Sequence, residues 1–297
     1  MFLHLDHMEK TIKKPLFRIY FQLAKPGIVF GNAVTAIGGF FLAARGDIHW
    51  LALFGAMIGL CFVMGSGCVF NNYFDRALDK QMKRTQMRAL VKGSVTIKQS
   101  IIYALTLLAL GIAFLVNFSN LLATSIALFG FVMYVVVYTF LKYRTRHSTL
   151  IGSIAGAVPP LVGYCAASGS LDQGGLLIFL VMVLWQMPHF YAISIYRLKE
   201  YTKAQIPLLP VVKGIKATKI QMVIYATLFC VAITLLPLLG YTNRLYLIAT
   251  SFVSIYWLFL CLKGFKCQND VKWARKVFGY SLVVVMTFSL MIPFTAK

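Results

Sequence analysis

The chain has 297 residues, of which 60% are hydrophobic and only 12% are charged, and its formal net charge is +21. A soluble domain of this length cannot bury so large an apolar fraction, so the composition excludes a soluble fold and predicts a polytopic membrane protein. Excess positive charge would suggest nucleic acid binding in a soluble protein, whereas in a membrane protein Lys and Arg gather in cytoplasmic loops. We therefore expect the lipid bilayer, and no nucleic acid, as a partner.

The first 25 residues are polar and basic, and they include the acidic residues Asp6 and Glu9. They lack the apolar core and the small-residue cleavage site of a signal peptide, and transit peptides contain few acidic residues. The sequence predicts a cytoplasmic basic N-terminal segment over 1–25 and a single transmembrane domain over 26–297.

Nine apolar segments are long enough to cross a bilayer, which takes about 20 residues each. They predict an all-α bundle of nine transmembrane helices at 27–44, 50–74, 100–117, 121–141, 149–168, 174–195, 220–240, 244–262 and 277–295. If the helices alternate in direction, one side of the bundle receives all of the 29 Lys and Arg residues except Arg45, Arg244 and Lys297. By the positive-inside rule, the N-terminus is cytoplasmic and the C-terminus is outside.

Three oxygen-bearing side chains lie at the end of the second apolar segment, where Asn71, Asp75 and Asp79 recur at every fourth position. Such residues drift by only about 40° per step around an α-helix, so they share one stripe, here called the oxygen stripe. This donor set suits Mg²⁺, which takes one or two protein carboxylates and completes its shell with water and substrate phosphates. Carboxylates at this spacing are often solvated, but these lie at the end of an apolar run, where polar groups are costly. We predict that the stripe is both the metal site and the catalytic centre.

Basic residues follow the oxygen stripe directly and include Lys80, Arg84 and Arg88. Ammonium and guanidinium groups are the side chains that bind phosphate. The stretch therefore predicts a diphosphate-binding site at the mouth of a membrane bundle.

The sixth apolar segment contains Gln186, Pro188 and His189, which predict a kinked helix with polar side chains that line a pocket. The alternative for His189 is a core histidine bonded to a neighbouring carbonyl group. In the fifth segment, Pro159 and Pro160 predict that close helix packing is followed by a break in the helix.

Glu200 is the only acidic residue in the connection after the sixth segment, where Arg197, Lys199 and Tyr201 flank it. It could complete a second metal or phosphate position that faces the oxygen stripe, or it could pair with its basic neighbours. The sequence leaves both alternatives open.

The N-x-x-x-D-x-x-x-D run of the oxygen stripe resembles the first aspartate-rich motif of the UbiA-type intramembrane prenyltransferases. Other stretches resemble the branch of this family that modifies heme, and the similarity extends from about residue 20 to the end of the chain. These stretches are Lys25–Asn32, Gly156–Gly163, Trp185–Phe190 and Pro207–Val212.

The resemblance implies an all-α enzyme that transfers the farnesyl group of farnesyl diphosphate to a vinyl group of heme b. Water then adds, which gives the hydroxyethylfarnesyl side chain of heme O, used by terminal oxidases. The resemblance also implies Mg²⁺ as cofactor and a bacterial inner (cytoplasmic) membrane, with the active site facing the cytoplasm. Contact with heme-handling or oxidase-assembly proteins is a further expectation.

In the expected mechanism, Mg²⁺ on the oxygen stripe binds the diphosphate together with Arg84, Arg88, Arg197 and Lys199. Neutralising charge on the leaving group favours ionisation to an allylic cation, and the apolar bundle keeps water from it. His189 is the heme-binding candidate, because imidazole is a common ligand of heme iron.

The chain departs from the family pattern after the sixth helix, where many members carry a second D-x-x-x-D and this chain has Tyr196 and Glu200. The heme branch shows a Lys-acid-Tyr sequence there, which Lys199, Glu200 and Tyr201 match. Tyr196, Glu200 and Tyr201 are therefore the candidates for a second metal or phosphate position, and the number of Mg²⁺ ions stays open.

Two other functions are compatible with parts of the pattern. A prenyltransferase for an aromatic or quinone-precursor acceptor would share the oxygen stripe but not the Trp185–Phe190 stretch. A secondary transporter would place its acidic residues near the bilayer midplane, whereas here they cluster with basic loops at one edge.

Overall fold

The computed structural model describes residues 15–297, and this part of the chain folds into helices without a β-strand. Within it, nine helices are long and apolar enough to cross a membrane, which confirms the predicted all-α polytopic fold. Numbered in chain order, spans 1 to 9 are Pro26–Ala44, Trp50–Asp79, Ile97–Phe118, Leu121–Leu141, Ser148–Ser168, Gln173–Tyr196, Gly214–Leu238, Arg244–Lys266 and Asp270–Thr295.

Part of the predicted N-terminal segment is a helix that sequence reasoning did not identify. The helix Leu16–Leu23 precedes span 1, and its Phe17 and Phe21 side chains are exposed while Leu23 is buried. Residues 1–14 of that segment lie outside the described residues. Two further short helices, Leu198–Lys203 and Leu209–Val212, lie between spans 6 and 7.

Several spans extend beyond their apolar runs. Span 2 continues to Asp79, so the oxygen stripe lies within the helix, and spans 7 and 9 begin early, at Gly214 and Asp270. At the start of span 3, Thr96 and Gln99 form a capping box, which satisfies two free backbone N–H groups. The helices therefore end where hydrogen bonding ends, and hydropathy alone underestimates their length.

The break predicted at Pro159 and Pro160 is wrong, because span 5 is helical without interruption from Ser148 to Ser168. Span 6 also remains helical through Pro188 to Tyr196. The fixed φ of proline suits a helix, and the backbone carbonyl groups that proline frees are tolerated in membrane helices packed against neighbours.

Span 4 contains a π-helical segment, Met133–Tyr138, between two α-helical parts. The Thr139 hydroxyl donates a 3.0 Å hydrogen bond to the carbonyl oxygen of Tyr134 within it. π-Helical turns are rare and are frequent at functional sites. Nothing in the hydropathy of the segment indicates it.

Connections from opposite ends of the bundle form two separate groups. At one end, the Arg45 guanidinium lies 5.0 Å from the centre of the Tyr241 ring, and the Lys297 backbone N–H donates to the Tyr241 carbonyl oxygen. At the same end, the Asn120 side chain donates to the Cys165 carbonyl oxygen over 2.8 Å. The other end, here called the basic end, carries the connections 80–96, 142–147 and 197–213. This grouping agrees with the predicted partition of charge.

Spans 2, 5 and 6 are the most buried and form the centre of the bundle. Span 5 meets span 1 at two glycines that face backbone carbonyl groups. A Cβ placed on Gly39 would lie 1.9 Å from the Pro160 carbonyl oxygen, and one on Gly163 would lie 1.9 Å from that of Ala36. No side chain fits at either position, so these glycines fix the distance between the two helices.

Gly39→Ala should destabilise the bundle, because the added methyl group meets rigid backbone and forces the two helices apart. Overpacking of this kind costs about 1–3 kcal/mol or more. A thermal unfolding scan in detergent should show a lower midpoint than for the wild type. Gly279→Ala in span 9, where a Cβ has no atom within 4 Å, is the matched control. Equal midpoints for the two variants would contradict the close approach.

Candidate active site

A cavity of about 1820 Å³ opens at the basic end of the bundle. Its lining comes from spans 1, 2, 4, 5, 6 and 9, from the helix Leu16–Leu23 and from connections at the basic end, while spans 3, 7 and 8 contribute no lining residue. The oxygen stripe lines one part of it, and Gln186 and His189 line another. One continuous space therefore connects the two groups of polar residues that the sequence identified.

Each residue of the oxygen stripe is buried and holds one cationic partner. Lys25 Nζ donates to Asn71 Oδ1 over 2.7 Å, and Arg88 pairs with Asp79 Oδ2 over 2.6 Å. Asp75 is paired with Lys142. The stripe thus faces the cavity as a set of oxygens already compensated by positive charge.

Asp75 is the most extensively bonded of these residues. Lys142 Nζ lies 2.5 Å and 2.6 Å from its two carboxylate oxygens, and the Tyr143 hydroxyl donates to Oδ1 over 2.6 Å. Burial lowers the pKa of Lys142, and the Asp75 carboxylate opposes that shift. The pKa of Tyr143 is raised by burial and by its hydrogen bond to Asp75. Sequence reasoning missed both partners, whose only signal is a basic, aromatic connection at the end of span 4.

Lys25 immediately precedes the first residue of span 1 and was not predicted as a site residue. It precedes Pro26 in a left-handed backbone conformation, with φ of 53°, and its ammonium group lines the cavity. Burial lowers its pKa to about 8. Its charge is therefore sensitive to pH in a range where an ordinary lysine stays protonated.

The structure separates the predicted diphosphate-binding residues into two groups. Arg84, Arg88 and Arg197 line the cavity, whereas Lys80 and Lys199 are exposed and lie outside its lining. Lys80 follows Asp79 in the chain, so its side chain points about 100° away from the stripe. The cationic wall of the cavity consequently consists of three arginines together with Lys25, Lys92 and Lys142.

The second-loop candidates line either the cavity or a smaller pocket. Tyr196 and Tyr201 line the cavity, while Glu200 lines the smaller pocket, of about 330 Å³. Lys83, Arg84, Tyr196, Arg197 and Arg275 complete that pocket.

Electrostatics in this second pocket are dominated by the arginines. Burial lowers the pKa of Arg84, and the nearby Arg197 lowers it further, while burial raises the pKa of Tyr201. One carboxylate oxygen of Glu200, Oε2, is buried without a hydrogen bond. Arg275, on span 9, was not identified from the sequence.

His189 lines the cavity and is stacked on Trp185, with ring centres 4.8 Å apart. Its Nδ1 is 2.7 Å from Ser281 Oγ, and the Ser281 hydroxyl itself donates to the Phe278 carbonyl oxygen over 2.6 Å. Because the Ser281 hydroxyl proton is used in that bond, its oxygen accepts from His189, and Nδ1 carries the imidazole proton. Nε2 therefore keeps a free lone pair. Gln186, on the same helix, has a buried Nε2 without a partner.

The donor set of the oxygen stripe fits Mg²⁺. Among the described residues, no group of three His, Cys, Asp or Glu side chains could hold a metal ion by itself. Asp75, Asp79 and the Asn71 amide provide hard oxygen ligands in the number that Mg²⁺ takes when water and phosphate complete its shell.

Comparison with known proteins places the chain in a family. The model of the UbiA prenyltransferase family matches residues 32–283. The chain is 48% identical over 279 residues to the protoheme IX farnesyltransferase of Protochlamydia amoebophila, covering 94% of this chain and 99% of that protein. It is 46% identical to that of Yersinia pseudotuberculosis, covering 93% and 94%. The chain therefore belongs to the UbiA prenyltransferase family.

Solved structures with the same fold are more distant in sequence. A digeranylgeranylglyceryl phosphate synthase superposes with a TM-score of 0.79 at 19% identity, covering 94% of this chain and 97% of that chain. A UbiA homologue from Archaeoglobus fulgidus bound to GPP and Mg²⁺ superposes with a TM-score of 0.67 at 14% identity, covering 93% and 99%. These similarities confirm the predicted UbiA-type bundle.

Asp75→Asn and Asp79→Asn keep the shape of the side chain and remove its charge. We expect each variant to lower the rate of prenyl transfer by about 10²-fold or more, because the metal and leaving-group site loses a carboxylate. The measurement is the initial rate of diphosphate release in membranes, normalised to the amount of protein. Asp47→Asn, which changes an exposed carboxylate at the opposite end, is the control. Wild-type rates in both stripe variants would refute the assignment.

The lowered pKa of Lys25 predicts a pH dependence of substrate binding. Lys25 is charged below about pH 8 and neutral above it, so the KM for the prenyl diphosphate should rise as the pH passes about 8. In Lys25→Arg the charge persists, because a guanidinium stays protonated to above about pH 12. Its KM should therefore remain level between about pH 7 and 9.5, where the wild-type KM rises. A parallel rise in both enzymes would assign the effect to another group.

Proposed function

We propose that the protein transfers the farnesyl group of farnesyl diphosphate to a vinyl group of heme b and that water addition then gives heme O. One observation carries the proposal: a single cavity is lined by the oxygen stripe with its cationic partners and also by His189, whose Nε2 is free. High identity to protoheme IX farnesyltransferases over nearly the whole chain supports the choice of substrates.

The diphosphate binds at the oxygen stripe. Asp75 and Asp79, with the Asn71 amide, would hold Mg²⁺, which supplies positive charge to the oxygens of the leaving group. Lys25, Lys142, Arg84, Arg88 and Arg197 line the same part of the cavity and bind the remaining phosphate charge. Lys25, Arg88 and Lys142 already contact the amide or a carboxylate of the stripe, so these three cations lie where the diphosphate arrives.

The farnesyl chain extends from the stripe into the apolar part of the cavity. Leu60, Val63 and Met64 of span 2 and Phe131 of span 4 line this part. An apolar wall keeps water away from an allylic cation, so the cation survives until the acceptor reaches it.

The acceptor occupies the chamber around His189. A neutral imidazole with its Nδ1 proton held by Ser281 presents Nε2 as a ligand for heme iron. Trp185 and Phe278, which flank the imidazole ring, offer flat apolar surfaces for a porphyrin.

Heme b has a large apolar macrocycle beside its two propionate groups and can enter from the bilayer. Ile28 and Phe30 of span 1 and Leu282 of span 9 line the cavity and are also exposed on the outside of the bundle, by 51%, 65% and 44%. The two spans touch near the opposite end, where a Cβ on Gly38 would lie 3.1 Å from the Ser289 carbonyl oxygen. The proposed entry for heme b therefore lies between these two spans at the basic end.

The cavity opens at the basic end, and the positive-inside rule assigns that end to the cytoplasm. We therefore place the enzyme in the inner membrane of a bacterium, with a cytoplasmic N-terminus and active site, an outside C-terminus, and residues 26–297 acting as one domain. Contact with heme-handling or oxidase-assembly proteins remains part of the proposal.

The test is an assay on membranes that contain the protein, given heme b, farnesyl diphosphate and Mg²⁺, with extracted products analysed by mass spectrometry. We expect a heme carrying a farnesyl group and one added water, and its loss when EDTA is present. A parallel reaction receives an aromatic acid in place of heme. Product only in that reaction would retain the metal site and overturn the acceptor, while diphosphate release in neither would overturn the enzyme assignment.

A further inference from the structure

Two tyrosines of span 4 form part of the cavity wall and have no role in the mechanism so far. The rings of Tyr134 and Tyr138 are stacked nearly parallel, with centres 5.9 Å apart and planes inclined by 9°. Both line the cavity together with Lys142, which lies one further step of four residues along the chain. The sequence Tyr134, Tyr138, Lys142 thus forms a second stripe that faces the oxygen stripe.

The π-helical segment Met133–Tyr138 produces this alignment. Gly130, Tyr134, Tyr138 and Lys142 all line the cavity, although 12 residues at about 100° each would rotate the last of them about 120° from the first. A π-helical turn absorbs one additional residue, which reduces this rotation to about 20°. The segment therefore keeps both rings and the ammonium group on one side of the helix.

Two glycines on neighbouring helices hold the rings in position. A Cβ on Gly67 of span 2 would lie 3.2 Å from Tyr134 Cδ1, and a Cβ on Gly152 of span 5 would lie 2.9 Å from Tyr138 Cε2. The rings occupy the space that these glycines leave. Their faces are thereby fixed in the cavity.

The position of Tyr138 relates it to the bond that breaks. Lys142 Nζ bonds Asp75 at 2.5 Å and lies 5.5 Å from the centre of the Tyr138 ring. A diphosphate bound at Asp75 and Lys142 would therefore lie within reach of this ring, which lines the same cavity. The face of an aromatic ring attracts a cation within about 6 Å of its centre.

We propose that the stacked rings of Tyr134 and Tyr138 are catalytic groups that stabilise the allylic cation. In this step the bond between the first prenyl carbon and the diphosphate oxygen breaks, and the electron pair leaves with the diphosphate. The positive charge spreads over the allylic carbons against the ring faces. The π electrons of the acceptor then form the new carbon–carbon bond, and the positive charge passes to the acceptor, where it is discharged by loss of a proton or, with heme b, by addition of water and loss of a proton from that water. The proposal rests on the proposed prenyl transfer but not on the identity of the acceptor.

The experiment compares Tyr138→Leu with Tyr138→Phe and repeats the comparison at Tyr134. Leucine keeps apolar bulk but removes the ring, while phenylalanine keeps the ring face. Desolvated cation–π interactions are worth up to about 2 kcal/mol, so kcat for diphosphate release should fall by about 3- to 30-fold in the leucine variant. The phenylalanine variant should retain more of kcat. The KM for the prenyl diphosphate should change little, because the neutral chain gains little from the ring.

Phe129→Leu is the matched control, since it makes the same kind of change at an exposed position of the same span. Diphosphate release is measured without acceptor as well as with heme b, so that failure of the heme assignment does not obscure the result. Equal losses in the leucine and phenylalanine variants would indicate a role of the hydroxyl groups and overturn the proposal. A rise in KM without a fall in kcat would indicate packing only and would also overturn it.

Discussion

An ionised carboxylate at the edge of an apolar bundle is stable only when opposite charge and hydrogen-bond donors surround it. Asp75 satisfies this requirement through Lys142 and Tyr143, and Asp79 satisfies it through Arg88. These partners come from segments on either side of spans 3 and 4, so the pairing draws distant parts of the chain around one helix. The same donors face the cavity, where they suit a phosphate. The same contacts therefore stabilise the folded protein and position the donors of the candidate phosphate site.

Six spans of the bundle line the cavity, and the other three support them. Spans 3, 7 and 8 do not line the cavity but pack against helices that do. Span 3 approaches span 2 at Gly59 and Gly111. A Cβ added to either glycine would lie within 3 Å of the carbonyl oxygen of the other glycine. In the other half, Phe229 and Trp257 join spans 7 and 8 edge to face. Supporting contacts of this kind depend on shape, and the fold is retained in solved structures that share 14–19% of the sequence.

Local properties of the sequence predicted the number of helices, the partition of charge and the oxygen stripe, because hydropathy and four-residue spacing act within one helix. The partners of Asp75 could not be predicted, since Lys142 lies 67 residues away and only the folded bundle brings the two together. Basic residues in a connection also look alike in sequence, which is why Lys80 and Lys199 were grouped with arginines that line the cavity. The continuous helix through Pro159 and Pro160 depends on neighbouring helices and was predicted wrongly for the same reason.

The π-helical segment of span 4 has a consequence for how this protein can change over evolutionary time. Insertions and deletions are usually tolerated at the end of a helix, because the adjoining loop absorbs them. Here, adding one residue between Tyr134 and Lys142 would turn the lysine about 100° away from Asp75 and leave a buried carboxylate without its partner. Removing one residue within Met133–Tyr138 would instead convert the segment into regular α-helix and keep the lysine on the same side of the helix. This helix can therefore lose one residue in its π-helical segment, but it cannot gain one.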